Sequence, residues 1–183
     1  MRVNNKNYST IWSENDKIKI IDQTFLPFKF KIDELKSLDD YCTAIETMKV
    51  RGAPLIGITA AFGFAKSIIK NPKNSNIERS YTKLLKTRPT AVNLSWAVDK
   101  IITEIKDKDK SNLQEIILSI ANEIRDQDII NCKAIGENGS KLIENIYKKT
   151  QKKVNVLTHC NAGWLAAVDW GTALAPIFIA NQK

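Results

Sequence analysis

The chain has 183 residues, 43% of them hydrophobic, which suffices for one domain, or for a small domain and part of another, and argues against disorder. Cys42, Cys132 and Cys160 are widely spaced with no CxxC pair, and His159 is the one histidine, so neither a zinc site nor a disulfide framework is expected and a reducing cytoplasm fits. The net charge of +8 comes mostly from lysines spread over helical segments without interleaved aromatics; this points to a solvated surface rather than a nucleic-acid interface, with a positive field that a phosphorylated substrate would use.

Residues 1–10 lack the apolar core of a secretory signal, and the apolar stretch near the C-terminus is interrupted by Asp169, so no membrane span is expected. Alternation over residues 10–30 predicts short strands, at 17–22 and at 24–30, with Pro27 forcing an edge or a bend in the second. Ser37, Leu38, Asp39 and Asp40 read as a helix start, continued through 41–49. Arg51, Gly52, Ala53 and Pro54 break the chain, and Pro54 suits the first turn of a helix running to about Lys70. Gly57, Gly63 and the alanines of that helix permit close packing by a neighbour or a ligand.

Residues 71–74 form a loop, and Ser75 to Glu78 has capping-box spacing for a helix to about Lys86. Arg88, Pro89 and Thr90 interrupt, and a helical pattern resumes over 91–106. Ser111 to Gln114 is a second capping box. Leu113, Ile116, Ile117, Ile120, Ala121 and Ile124 follow the period of an amphipathic helix that extends past Cys132. Gly136 and Gly139 mark a turn or a restart, and 140–147 is helical again. From Lys153 the pattern changes. Val154 to Thr158 reads as a strand, Asn161 to Gly163 as a tight turn, and the apolar residues beyond as a helix, the opening of an α/β domain. One strand with one or two helices cannot form a sheet covered on both faces, so this part leans on the helical part, on another chain, or on a segment beyond it.

Three places carry candidate chemistry. The turn after Cys160 sets the thiol beside an expected helix N-terminus, which favours a thiolate or binds an anion; the other reading is a small buried cysteine at a strand end. Arg51 stands beside Gly52 and Ala53 at a helix start, where a phosphate takes bidentate bonds from the guanidinium and N–H bonds from the helix; the other reading is a loop arginine. Arg88 repeats that arrangement, with a surface arginine as its alternative. A hydrolase built on His159 and Cys160 is disfavoured, because adjacent residues of a strand point to opposite sides.

The wording DQTFLP at 22–27, KVRGAP at 49–54, RPTAVNL at 88–94, IGENG at 135–139 and LTHCNAG at 157–163 resembles, in order, the motifs of the 5-methylthioribose-1-phosphate isomerases. That family shares its fold with regulatory subunits of the translation initiation exchange factor. The resemblance implies an α/β fold. Short N-terminal strands and a helical bundle occupy residues 1–150, and the truncated start of a Rossmann-like catalytic domain occupies 151–183. It implies conversion of 5-methylthioribose 1-phosphate to 5-methylthioribulose 1-phosphate in methionine salvage, with no cofactor or metal, by a cytoplasmic homodimer. By position, Arg51, Gly52 and Ala53 hold the sugar phosphate, Arg88 is a second substrate contact and Cys160 stands at the reacting carbons.

The family's proton-donor aspartate and an Asn–Lys pair lie beyond residue 183, and Asp169 does not match that position, so no catalytic acid is assigned. Trp164, Asp169 and Trp170 depart from the commonest family wording, which leaves room for a related ribose-1,5-bisphosphate isomerase. A non-catalytic regulatory subunit is the further alternative, and retention of Cys160, Arg51 and Arg88 argues against it.

Overall fold

The computed structural model describes residues 2–106, 108 and 112–182. Two hairpins open the chain. Strands β1 (Arg2–Val3) and β2 (Lys6–Asn7) pair antiparallel, and β3 (Ile11–Glu14), β4 (Lys17–Ile21) and β5 (Ile32–Leu35) form a three-stranded antiparallel sheet in that order. In β4 the alternation works as expected: Ile18 and Ile20 are buried while Lys17 and Lys19 point outward. The strand expected over 24–30 does not form. Asp22 instead caps a 3₁₀ turn at Gln23–Phe25, its Oδ1 accepting from the Thr24 amide (3.1 Å) and hydroxyl (2.6 Å), which diverts the backbone from extended pairing.

The helices follow. In α1 (Leu38–Glu46) the expected start is a complete capping box: Ser37 accepts from the Asp40 amide, and Asp40 accepts from the Ser37 amide at 2.9 Å. Met48, at φ 59°, ends the helix short of Lys49. Helix α2 (Ala53–Lys70) is the centre of the molecule, with Leu55, Ile58, Phe62, Phe64 and Ile68 among its fully buried side chains. It is long and apolar enough to cross a bilayer, but 67% of it is buried within the fold, as in the core helix of a globular domain. Its glycines admit neighbours: a Cβ on Gly57 would lie 2.6 Å from the Asn93 carbonyl oxygen, and one on Gly63 would lie 2.8 Å from the Tyr41 side chain.

Helix α3 (Asn74–Thr87) begins one residue before Ser75, so the box expected there is absent. Asn76 instead ties the helix to the end of α2 by donating to the carbonyls of Ser67 (3.1 Å) and Asn71 (2.8 Å). Helix α4 (Val92–Ile105) packs on α2 through Leu94, Ala97, Val98 and Ile101. The second expected capping box rests on Ser111, outside the described residues.

Helix α5 (Leu113–Thr150) runs unbroken for 38 residues, about 57 Å at the usual rise per residue. The turn or restart expected at Gly136 and Gly139 is not there. Those glycines serve packing: a Cβ on Gly136 would sit 2.7 Å from Ile179 Cδ1, and one on Gly139 2.5 Å from Pro176 Cγ, so they let α6 (Ala175–Asn181) lie close against α5. Gln151 in the left-handed conformation closes α5, and Lys148 and Lys149 complement its C-terminal dipole.

The expected strand over 154–158 is also absent. Val156 and Leu157 are exposed, and no neighbouring strand among the described residues offers the ladder that a β-strand requires. The helix expected directly after Gly163 is a single 3₁₀ turn at Trp164–Ala166, and regular helix resumes only at Ala175.

Candidate functional site

Three distant segments meet at the start of α2. The first is the capped turn at Gln23, the second is 49–53, and the third is 163–168, which follows Cys160. The Gln23 amide donates to the Lys49 carbonyl at 2.9 Å. Its side chain, only 3% exposed, reaches both other segments: Oε1 accepts from Arg51 Nε at 3.3 Å, and Nε2 donates to the Leu165 carbonyl at 2.7 Å. Thr10 anchors the third segment from the sheet side, its amide donating to the Val168 carbonyl at 2.9 Å and its hydroxyl to the Trp164 carbonyl at 3.2 Å.

Gly52 caps α2 at φ 99°, a conformation that disfavours any Cβ, and a Cβ there would lie 2.4 Å from Ala166 Cα. The helix start is therefore locked against the segment that follows Cys160. The amides of Ala53 and Leu55 lie in the first turn, where no intrahelical acceptor exists, and Pro54 carries no N–H at all. Arg51 is exposed, and among the described residues no carboxylate pairs with it. A guanidinium held at Nε, with its terminal nitrogens unspent beside free helix N–H groups, is suited to a dianionic phosphate.

Cys160 is the exposed cysteine of the three and sits at φ 81°, its carbonyl accepting from the Ala162 amide at 3.0 Å. It stands in a turn, not at the mouth of a regular helix, so the helix-dipole activation expected for it is not provided by the 3₁₀ turn that follows. Cys42 and Cys132 are buried; burial pushes their thiols up to about 11 and about 12, with Asp128 adding to the second. The contacts join Arg51 to the segment behind Cys160, not to its sulfur. Arg88 closes α3, half-buried, and its carbonyl accepts from the Ala91 amide at 2.9 Å as α4 begins. Because Asn93 packs on Gly57, the start of α4 lies beside the first turns of α2. The two arginine-bearing breaks thus open neighbouring helices.

Asp128 escaped the sequence reading. Its Oδ2 accepts from the Val168 amide at 3.0 Å and its Oδ1 lies 3.9 Å from Cys132 Sγ, so it ties α5 to the segment after Cys160. Burial raises its carboxyl above the usual range, against the lowering effect of those hydrogen bonds. The available signal was a carboxylate at i+4 from Ile124 and i−4 from Cys132, within the buried stripe of α5. It borders a cavity of about 150 Å³ shared with Pro54, Gly57, Asn93 and Trp96. Asp169 lies in a turn, its Oδ1 accepting from the Trp170 amide at 2.8 Å. Trp164 and Trp170 line a cleft of about 510 Å³ with Tyr8 and Phe178.

A family model described as the initiation factor 2 subunit family matches residues 49–180. A methylthioribose-1-phosphate isomerase of Methylorubrum extorquens is 48% identical over the whole chain, and one of Escherichia coli is 46% identical, each covered over 50% of its own length. The crystal structure of 5-methylthioribose 1-phosphate isomerase from Pyrococcus horikoshii superposes with a TM-score of 0.83 at 31% identity, over 97% of this chain and 50% of that one. That of translation initiation factor eIF-2B, subunit delta, from A. fulgidus gives 0.77 at 30% identity, over 96% and 52%. The chain thus spans about half the length of the curated relatives it matches, and on the match over residues 49–180 it belongs to the initiation factor 2 subunit family.

Proposed function

We propose that the complete protein is an aldose–ketose isomerase that converts 5-methylthioribose 1-phosphate to 5-methylthioribulose 1-phosphate in methionine salvage. The observation that carries this reading is the Arg51 guanidinium at the glycine-capped start of α2, without a carboxylate partner among the described residues and tied through Gln23 to the segment that follows Cys160. The naming of half-covered relatives as methylthioribose-1-phosphate isomerases supports it.

The chemistry needs those parts. The anomeric carbon carries phosphate, so the ring cannot open spontaneously to a free aldehyde. A proton must reach the ring oxygen as the C1–O4 bond breaks, the C2 hydrogen must move to C1, and the C2 hydroxyl proton must leave as the ketone forms. Arg51 and the amides of Gly52 and Ala53 hold the phosphate, and Arg88 adds a second cation. Cys160 supplies a polarisable thiol at C1 and C2. The general acid is assigned to no residue of this chain. In this reading residues 1–150 form the strand and helical domain, and 151–183 begin a Rossmann-like catalytic domain. The enzyme works in the cytoplasm as a homodimer, without nucleic acid, membrane or cofactor.

A non-catalytic regulatory role is the second reading, favoured by the likeness to the eIF-2B delta subunit. The test is isomerisation of 5-methylthioribose 1-phosphate followed by NMR with the product of the complete coding sequence. Turnover lost in Cys160→Ser and saturating poorly in Arg51→Met is expected. No turnover by the parent protein refutes the reading, and a preference for ribose 1,5-bisphosphate reassigns the substrate.

A further inference from the structure

We infer that Gln23 is a positioning residue, which orients the Arg51 fork toward the substrate phosphate and fixes the segment that follows Cys160 in the same act. The inference rests on the proposed role of Arg51 in phosphate binding and goes beyond it by naming the group on which that role depends.

Gln23 is nearly inaccessible, so its amide cannot touch substrate and acts only through its partners. Both partners lie far off in sequence: Arg51 is 28 residues away and Leu165 is 142. The orientation of the amide is chemically forced. Arg51 Nε–H can only donate and the Leu165 carbonyl can only accept, so the reversed amide would set donor against donor and oxygen against oxygen. One planar group thereby fixes the guanidinium and the backbone behind Cys160 relative to each other.

The residue is itself held from below. Its own amide bonds the Lys49 carbonyl, and the preceding Asp22 caps the turn while lying 3.6 Å and 3.8 Å from the ammonium groups of Lys31 and Lys49. Arg51 has a long side chain, is exposed and has no ionic partner among the described residues to order it, so the Gln23 bond is what limits its rotamers before substrate arrives. Pre-orientation of this kind lowers the ordering cost at binding, and its loss raises KM.

The experiment is a double-mutant cycle in the complete protein, with Gln23→Leu, Arg51→Met and the pair, reading KM for the sugar phosphate, kcat, and the inhibition constant of inorganic phosphate. Gln23→Leu is expected to raise KM and the phosphate inhibition constant about tenfold when Arg51 is present, and less than twofold on the Arg51→Met background. Equal effects on both backgrounds would mean that Gln23 acts on the fold and not through Arg51, and overturn the inference. An Arg51→Met enzyme with unchanged KM would sink the phosphate role of Arg51, and a parent protein without turnover would sink the proposed function, so these failures are distinguishable from that of the inference. If Gln23→Leu does not fold, Gln23→Met, which keeps the length of the side chain without its amide, enters the same cycle, and the same dependence on Arg51 is expected.

Discussion

Replacing Gly52 by alanine tests the convergence at the start of α2 most directly. The new Cβ would lie 2.4 Å from both Ala166 Cα and the Ala166 carbonyl oxygen and 2.5 Å from Ala166 Cβ, contacts that only a backbone shift relieves. The φ of 99° adds strain of about 1–3 kcal/mol for a residue with a side chain. Overpacking against immobile backbone adds about 1–3 kcal/mol. The sum, about 2–6 kcal/mol, is a large share of the roughly 5–15 kcal/mol that holds a domain folded. It corresponds to a fall in Tm of roughly 5–20 °C for a chain of this size. Urea unfolding followed by circular dichroism reads it. A ΔΔG below about 1 kcal/mol, with unchanged slope, would refute the close approach of Gly52 to Ala166 and with it the link between Arg51 and the segment of Cys160.

Native-state alkylation at pH 8 is expected to label Cys160 alone, because Cys42 and Cys132 are buried and their thiols sit at about 11 and about 12; peptide mapping that finds Cys132 labelled before unfolding contradicts the packing around α5. Asp128 binds its proton more tightly folded than unfolded, so its contribution to stability falls as pH rises through its raised pKa from the ordinary 3.8. Asp128→Asn removes that slope while keeping an acceptor for the Val168 amide, so the stability of the variant relative to the parent should climb with pH in that window, and a flat difference in urea midpoints between pH 4 and 7 counts against it. Ser37→Ala removes one half of the α1 capping box and should cost about 1 kcal/mol of unfolding free energy, with no change in the cysteine labelling pattern.

Local chemistry was legible where a residue's partner lies within a few positions. Ser37 and Asp40 announce their helix, Pro54 sits in the first turn of α2, and the alternation of β4 survives because its register is set by the adjacent hairpin. Two of the errors share a physical cause, which is that the deciding partner is remote. Gly136 and Gly139 read as punctuation in one dimension, yet they keep helical geometry because Ile179 and Pro176 occupy the space a side chain would take. The apolar run at Val154 to Leu157 has the composition of a strand, but composition supplies no ladder. The Asp22 carboxylate outcompeted extended backbone at 24–30 for the same reason that makes aspartate a turn residue.

The candidate site shows the same division. Arg51, Gly52 and Ala53 could be singled out from four consecutive letters, because a guanidinium, a glycine cap and a helix start are all local features. What gives that motif a fixed direction is not local. Gln23 was visible only as one letter of DQT, and nothing in its neighbourhood says that its two amide atoms are divided between Arg51 and Leu165. Asp128 was hidden because a carboxylate among apolar helix positions is legible as a polar exception, but not as the acceptor for an amide 40 residues away. Both residues end on the segment 163–168, one through Leu165 and the other through Val168, with Gly52 pressed against Ala166 between them. The stretch that follows an exposed cysteine is thereby pinned at successive backbone positions by groups from the sheet side, the start of α2 and α5. The direction of the Arg51 side chain and the placement of the backbone after Cys160 consequently rest on one shared piece of structure, and a change at any of its anchors should be felt at both.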